Sequence, residues 1–168
     1  MEARAKLFGH PIHQMLVVLP LGILMGAVIF DIIHLITRRG TFALVSFWMI
    51  AIGVLTGLLA AVFGLADWTK IPQGTRAKRI GGIHGIGNVV VVLLFIISWF
   101  LRRGGPVTSP GALAIVLSLI GGGLALFTGW LGGELVDRLG VGVDDDANLD
   151  APSSLSGAPA RAEPMPHH

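Results

Sequence analysis

Apolar residues run along this chain in four long blocks separated by short polar stretches. Gln14–Ile36 is interrupted only by Asp31 and His34 near its end, and Phe42–Ala66 carries no charge at all; Ile83–Leu101 and Gly111–Gly133 follow. Each block holds about 19–25 residues, enough for a helix rising ~1.5 Å per residue to cross a ~30 Å hydrocarbon layer. Helices are required there because lipid offers no partner to an unpaired backbone amide. The first block is too long for the core of a cleaved leader and is followed by no small-x-small site, so it is expected to be retained. The connections Thr37–Thr41, Asp67–Gly82 and Arg102–Pro110 are short, which makes successive helices antiparallel neighbours. The expected fold is all-α and integral to the membrane: a four-transmembrane-helix up-down-up-down bundle over residues 14–139. An N-terminal arm (1–13) precedes it, and an acidic tail rich in Pro, Ser and Ala (140–168), too polar to bury a core and expected to be disordered, follows. Pro20 lacks an amide donor and should kink the first helix near Leu16.

Composition agrees with this pattern. Of 168 residues 53% are apolar and 13% charged, about half the ~25% charge of soluble domains, and the mean hydropathy is +0.77. The absence of cysteine removes disulfides, thiolate metal sites, iron–sulfur clusters held by this chain and a thiol nucleophile. The net charge is +2 with no basic stripe bearing interleaved aromatics, so nucleic acid is not an expected partner. No G-x-S-x-G or H-E-x-x-H motif is present, and the chain reads as an electron carrier or membrane subunit rather than an enzyme. Arg4, Lys6, Lys70, Arg76, Lys78, Arg79 and Arg138 lie near helix ends on the side of the termini; Arg38, Arg39, Arg102 and Arg103 lie on the other. That imbalance places both termini in the cytoplasm by the positive-inside rule.

Ionisable residues inside a span are costly and face the bundle. At 100° per residue His13, Asp31 and, within about 60°, His34 share one stripe of the first helix. In the third helix His84, Asn88, Ser98 and Arg102 line up in the same way. The even-numbered helices carry small residues at helical spacing: Gly53, Gly57, Ala60 and Gly64 before Asp67, and Ser118, Gly122, Ala125, Gly129 and Gly133 before Glu134. Such faces serve close packing, and they also leave space for a flat cofactor. The two hairpins resemble a tandem repeat, Phe63–Trp68 matching Phe127–Glu134, and sites tend to lie where repeats meet.

By depth, His10, His13, Asp67, Trp68, His84, Asn88, Trp130 and Glu134 gather at the face of the termini. Asp31 and His34 sit at the other, where an Asp31–Arg102 ion pair is expected. Trp48, Trp68, Trp99 and Trp130 read as interfacial anchors. His13 and His84 stand on diagonal helices, an arrangement suited to two imidazole nitrogens on the iron of a haem b, with His10 and Asn88 as further cofactor-binding candidates and Asp67 and Asn88 orienting the rings. Alternatively, His10, His13, Asp67, His84 and Glu134 make a nitrogen- and oxygen-rich set for a non-haem metal. Proton transport through these groups, or an anchor without cofactor that holds a partner and forms a homo-oligomer, are further readings.

Gly9-His10-Pro11-Ile12-His13 leading into a helix with Pro20, then Phe30-Asp31, resembles a bacterial membrane family patterned G-H-P-x-H-P, the domain of unknown function 2231. Gly64–Trp68, the His84–Asn88 pair and Gly132–Val143 resemble its later motifs, so the likeness spans roughly Phe8–Val143. Gln14 stands where a second proline is usual, Val18 where many relatives carry a histidine, and Leu139 where another often occurs. The resemblance implies a multi-pass protein of the inner membrane. Relatives fused to Rieske or cytochrome c domains imply electron transfer with such a partner or with a quinone, and the absent histidines imply one haem rather than two.

Overall fold

The computed structural model describes Met1–Ala158 and Ala160. Four spans cross from end to end: Ile12–Thr37, Gly40–Lys70, Arg76–Arg102 and Ala112–Arg138, each long and apolar enough for a bilayer. The first consists of α1 (Ile12–Leu16) and α2 (Val18–Thr37), broken at Val17. The break has its cause at Pro20, whose nitrogen has no proton for the Leu16 carbonyl, as expected from the sequence. The remaining helices are α3 (Gly40–Lys70), α4 (Arg76–Arg102) and α5 (Ala112–Gly133), the last running into a π-helical turn over Glu134–Arg138.

The helices exceed the apolar blocks: α3 continues through Asp67 to Lys70, and α4 begins at Arg76 rather than Ile83. Hydropathy marks where lipid begins, but capping marks where a helix ends. Thr75 caps α4 by accepting the Lys78 amide at 3.1 Å, satisfying one of the orphan donors of a helix start. At the opposite end α2 stops at Arg38, which takes the left-handed conformation (φ 57°) that glycine ordinarily occupies.

Packing follows chain order in a ring, α2 on α3, α3 on α4, α4 on α5 and α5 back on α2, so α2 and α4 occupy opposite corners. The core is a compact mid-depth cluster of Leu24, Ala27, Val28, Ile50, Val91, Phe95 and Ala125. Leu55, Val62, Ile86, Leu113 and Leu126 face outward and are exposed for lipid. Burial therefore does not separate apolar from polar here; it separates protein contact from lipid contact.

A two-fold internal correspondence is visible in the contacts. Three α1/α2 positions recur in α4 at a separation of 71 residues (His13 and His84, Leu24 and Phe95, Asp31 and Arg102), and three α3 positions recur in α5 at 68 (Gly53 and Gly121, Ala60 and Thr128, Gly64 and Gly132). A Cβ at Gly53 would lie 2.5 Å from the Leu24 side chain and one at Gly121 2.9 Å from Phe95. The repeat is thus set one helical turn beyond the Phe63–Phe127 alignment that the sequence suggested.

Before the first span, Lys6–Leu7 pairs antiparallel with His10–Pro11 (β1 and β2). The stretch after Leu139, which composition placed in the tail, packs on this arm at its start. The Met1 ammonium donates to Gly140 O at 3.1 Å and pairs with Asp145 at 3.0 Å. The Gly142 amide donates to Met1 O at 2.8 Å, and Lys6 bonds to Asp144. His167 and His168 lie outside the described residues.

Candidate functional site

Two polar levels sit at opposite ends of the core. Away from the termini, Asp31 on α2 and Arg102 on α4 form a fork-to-fork ion pair, Nη1 to Oδ1 at 2.8 Å and Nη2 to Oδ2 at 2.6 Å. Both side chains are completely buried. Arg102 spends its remaining donors on three serines: Nε on Ser98, Nη1 on Ser46 and Nη2 on Ser118, each at 3.3 Å. Ser118 donates to Asp31, and Ser98 donates to Ala114 O at 2.6 Å. All five guanidinium N–H groups are satisfied, and every helix from α2 to α5 contributes. A buried pair is tolerable when its spare donors are met in this way, and strongly destabilising when one partner is lost.

At the level of the termini each histidine is turned onto the second helix of its own hairpin. His13 Nδ1 lies 2.9 Å from Ala60 O, and His84 Nδ1 lies 2.8 Å from Thr128 O. A carbonyl only accepts, so Nδ1 carries the proton in both rings and Nε2 is left as the lone-pair nitrogen. His84 Nε2 receives the Asn88 amide at 3.1 Å; Asn88 Oδ1 in turn accepts from the Thr128 hydroxyl at 3.0 Å. No hydrogen-bond partner of His13 Nε2 occurs among the described residues.

Glycine makes both placements possible. A Cβ at Gly64 would fall 2.7 Å from His13 Cε1, and one at Gly132 3.3 Å from His84 Cε1. Leu24 fills Gly53, Pro20 and Val92 border Gly57, and Val28 fills Gly122. The small faces therefore pack side chains, in keeping with the first of the two uses expected of them. On α5 that face turns through Thr128 and Gly132; Gly129 is exposed and meets nothing within 4 Å.

The other candidates do not converge on the histidines. His10 is exposed on the arm, 3.4 Å from Ser154 Oγ. Asp67 is buried and accepts the Arg4 amide at 2.6 Å, a latch for the arm. Glu134 pairs with Arg76 at 2.6 Å across the helix ends. Among the described residues no three His, Asp or Glu side chains form a metal-holding group, so the set His10, His13, Asp67, His84 and Glu134 is not gathered into one centre. Each carboxylate already has its own donor, and His10 leaves the bundle with its strand.

Only two tryptophans face lipid: Trp48 and Trp130 are 58% and 63% exposed, whereas Trp99 packs against the core and stacks on Phe47 at 5.3 Å. Trp68 donates to Lys78 O at 3.1 Å, and the Lys78 ammonium sits 3.7 Å over its ring and donates to Trp68 O. Sequence reading missed Ser46, Thr128 and Lys78. For Ser46 and Thr128 the signal was available, a lone hydroxyl in an apolar run at the depth of a charged or histidine residue on a neighbouring helix; Lys78 lies in the basic stretch Arg76–Arg79 and carried no such signal.

A family model described as a predicted membrane protein, the domain of unknown function 2231, matches residues 9–145. The chain belongs to this family. The match opens at Gly9, takes in both polar levels, and ends within the segment that packs on the arm. No curated protein and no solved structure matches the chain.

Proposed function

We propose that this family member is a small membrane-embedded redox module centred on His13 and His84, and that haem b is the group their chemistry fits. The observation that carries the reading is the matched state of the two rings: each has committed Nδ1–H to a backbone carbonyl, which leaves two imidazole lone pairs at equivalent positions of the repeat. Two lone pairs cannot hydrogen-bond to each other, but both can serve one iron, the ligation found at b-type sites. Carbonyls that fix the ring tautomer are the usual outer support of a ligating histidine. Bound there, haem would supply one-electron exchange with a quinone or with a Rieske or cytochrome c type partner. Asn88 would have to release His84, and the helix ends would have to part, because the hollows at Gly74–Arg79 and at His34–Ile115 lie elsewhere. The basic residues on the side of the termini support cytoplasmic termini in an inner membrane.

A second reading has its own support. With Asn88 on His84 and both rings seated on glycine, the histidines also serve as clamps within each hairpin, in an anchor without cofactor for a partner. A third, a non-haem metal on the two histidines, has only their nitrogens to draw on. Absorption spectra of detergent-purified protein, oxidised and reduced after haem supplementation, together with metal analysis, separate them. A Soret band lost in both His13→Ala and His84→Ala supports haem. No band and no metal leaves the clamp; stoichiometric metal lost with His84→Ala gives the third.

A further inference from the structure

The end of the bundle remote from the termini carries a hollow lined by His34, Leu35, Arg38, Thr108, Ser109 and Ile115, among others. We infer that it holds the headgroup of an acidic phospholipid, with Arg38 as the principal contact. Charge is the first argument. The one acid at this end, Asp31, is fully buried and consumed by Arg102. Arg38, Arg39 and Arg103 have no ion-pair partner among the described residues, so this rim is cationic without compensation. The remaining described acids lie on the side of the termini.

Depth and shape supply the second argument. The hollow opens where α2 ends and α3 and α5 begin, which is the headgroup depth of a bilayer crossed by these spans. Its wall is mixed: an arginine fork with two hydroxyls matches phosphate oxygens, and Leu35 and Ile115 offer an apolar side to the first carbons of a chain. A soluble phosphate has no use for that apolar wall.

Arg38 itself supplies the third. It holds a left-handed helix-ending position where glycine is favoured on steric grounds, and its guanidinium has no hydrogen-bond partner among the described residues. A strained arginine whose guanidinium has no hydrogen-bond or ion-pair partner among the described residues is suited to a contact outside the fold. His34 Nδ1 bonds to Arg39 O at 3.0 Å, and this bond holds the turn that presents both arginines.

The test uses full-length protein reconstituted in vesicles of equimolar phosphatidylcholine and phosphatidylglycerol, re-extracted, and weighed for retained lipid by native mass spectrometry. Phosphatidylglycerol should be retained over phosphatidylcholine, and the preference should fall about fivefold in Arg38→Gly, the weight of one cation at an anionic surface. Arg38→Gly relieves backbone strain, so it should melt at or above the temperature of the native protein, which separates lost binding from lost fold. Arg79→Gln, at the opposite end, should keep the native preference. Equal retention of the two lipids, an unchanged preference in Arg38→Gly, or competition by inorganic phosphate alone would each overturn the assignment. The readout is lipid mass, so the outcome is independent of any cofactor at His13 and His84.

Discussion

Asp31 and Arg102 occupy one pair of equivalent positions in the two hairpins, and His13 and His84 occupy another, yet the two levels solve the burial problem in opposite ways. Opposite charges at equivalent positions satisfy each other directly, and three serines take up what is left. Like residues at equivalent positions cannot do so: each imidazole turns to a carbonyl of its own hairpin, and the His13 lone pair has no partner among the described residues. The first level is closed, buried and shared by all four spans. The second is half-buried and built from two separate hairpins. A level that is complete in itself reads as structure, and one that is incomplete reads as a site for something else.

The largest effect expected is at the closed level. Arg102→Ala or Asp31→Ala strands a buried charge and should cost about 3–5 kcal/mol, seen as a large fall in the detergent unfolding midpoint. The double variant Asp31→Leu/Arg102→Met should recover most of that loss, because it removes both charges together; failure to recover would break the reading of this level as self-contained.

Next comes the glycine that seats each ring. Gly64→Ala, with its Cβ 2.7 Å from His13, should cost about 1–3 kcal/mol and more than Gly132→Ala, whose Cβ has 3.3 Å. Comparing the two melting temperatures sharpens the correspondence between hairpins, and equal costs would argue against a tighter seat for His13 than for His84. A smaller change follows from Asn88→Ala, which removes the donor on His84 Nε2 and should cost about 1 kcal/mol. If the histidines ligate haem, the same variant should retain or increase haem uptake in a spectral titration, whereas the clamp reading expects only the loss of stability.

The smallest effect lies on the arm. The Lys6 ammonium is held above its ordinary 10.5, chiefly by its hydrogen bond to Asp144 and secondarily by Glu2, against the cost of partial burial. A group raised on folding contributes stability that is complete below its unfolded value and lost as pH rises through its folded value. Lys6→Met should therefore destabilise the protein slightly at pH 8, by under about 1 kcal/mol, and the difference from the native protein should fade as pH rises past 10.5 and through the raised folded value.

Much of the fold was legible because lipid imposes a simple rule. Four apolar blocks, short connections and Pro20 were enough for span number, antiparallel order and the break at Val17. Ion pairing of Asp31 with Arg102 was also legible, since two opposite charges at one depth in a small bundle have few other partners. The ends of α3 and α4 were not, because hydropathy is silent about caps. The metal set His10, His13, Asp67, His84 and Glu134 could not be judged from depth, which says nothing about azimuth: Arg4 and Arg76 claim the carboxylates from segments whose paths no periodicity records.

By itself the amino-acid order determined what is immersed in the bilayer and at which depth each polar group rests, because burial of backbone and charge in lipid is a local cost counted along one helix. Only the tertiary structure decided which way each ring turns, which glycine receives it and which donors meet Arg102. Those outcomes depend on angular placement between neighbouring helices, a matter of a few ångströms settled by packing across the bundle and not by any single segment.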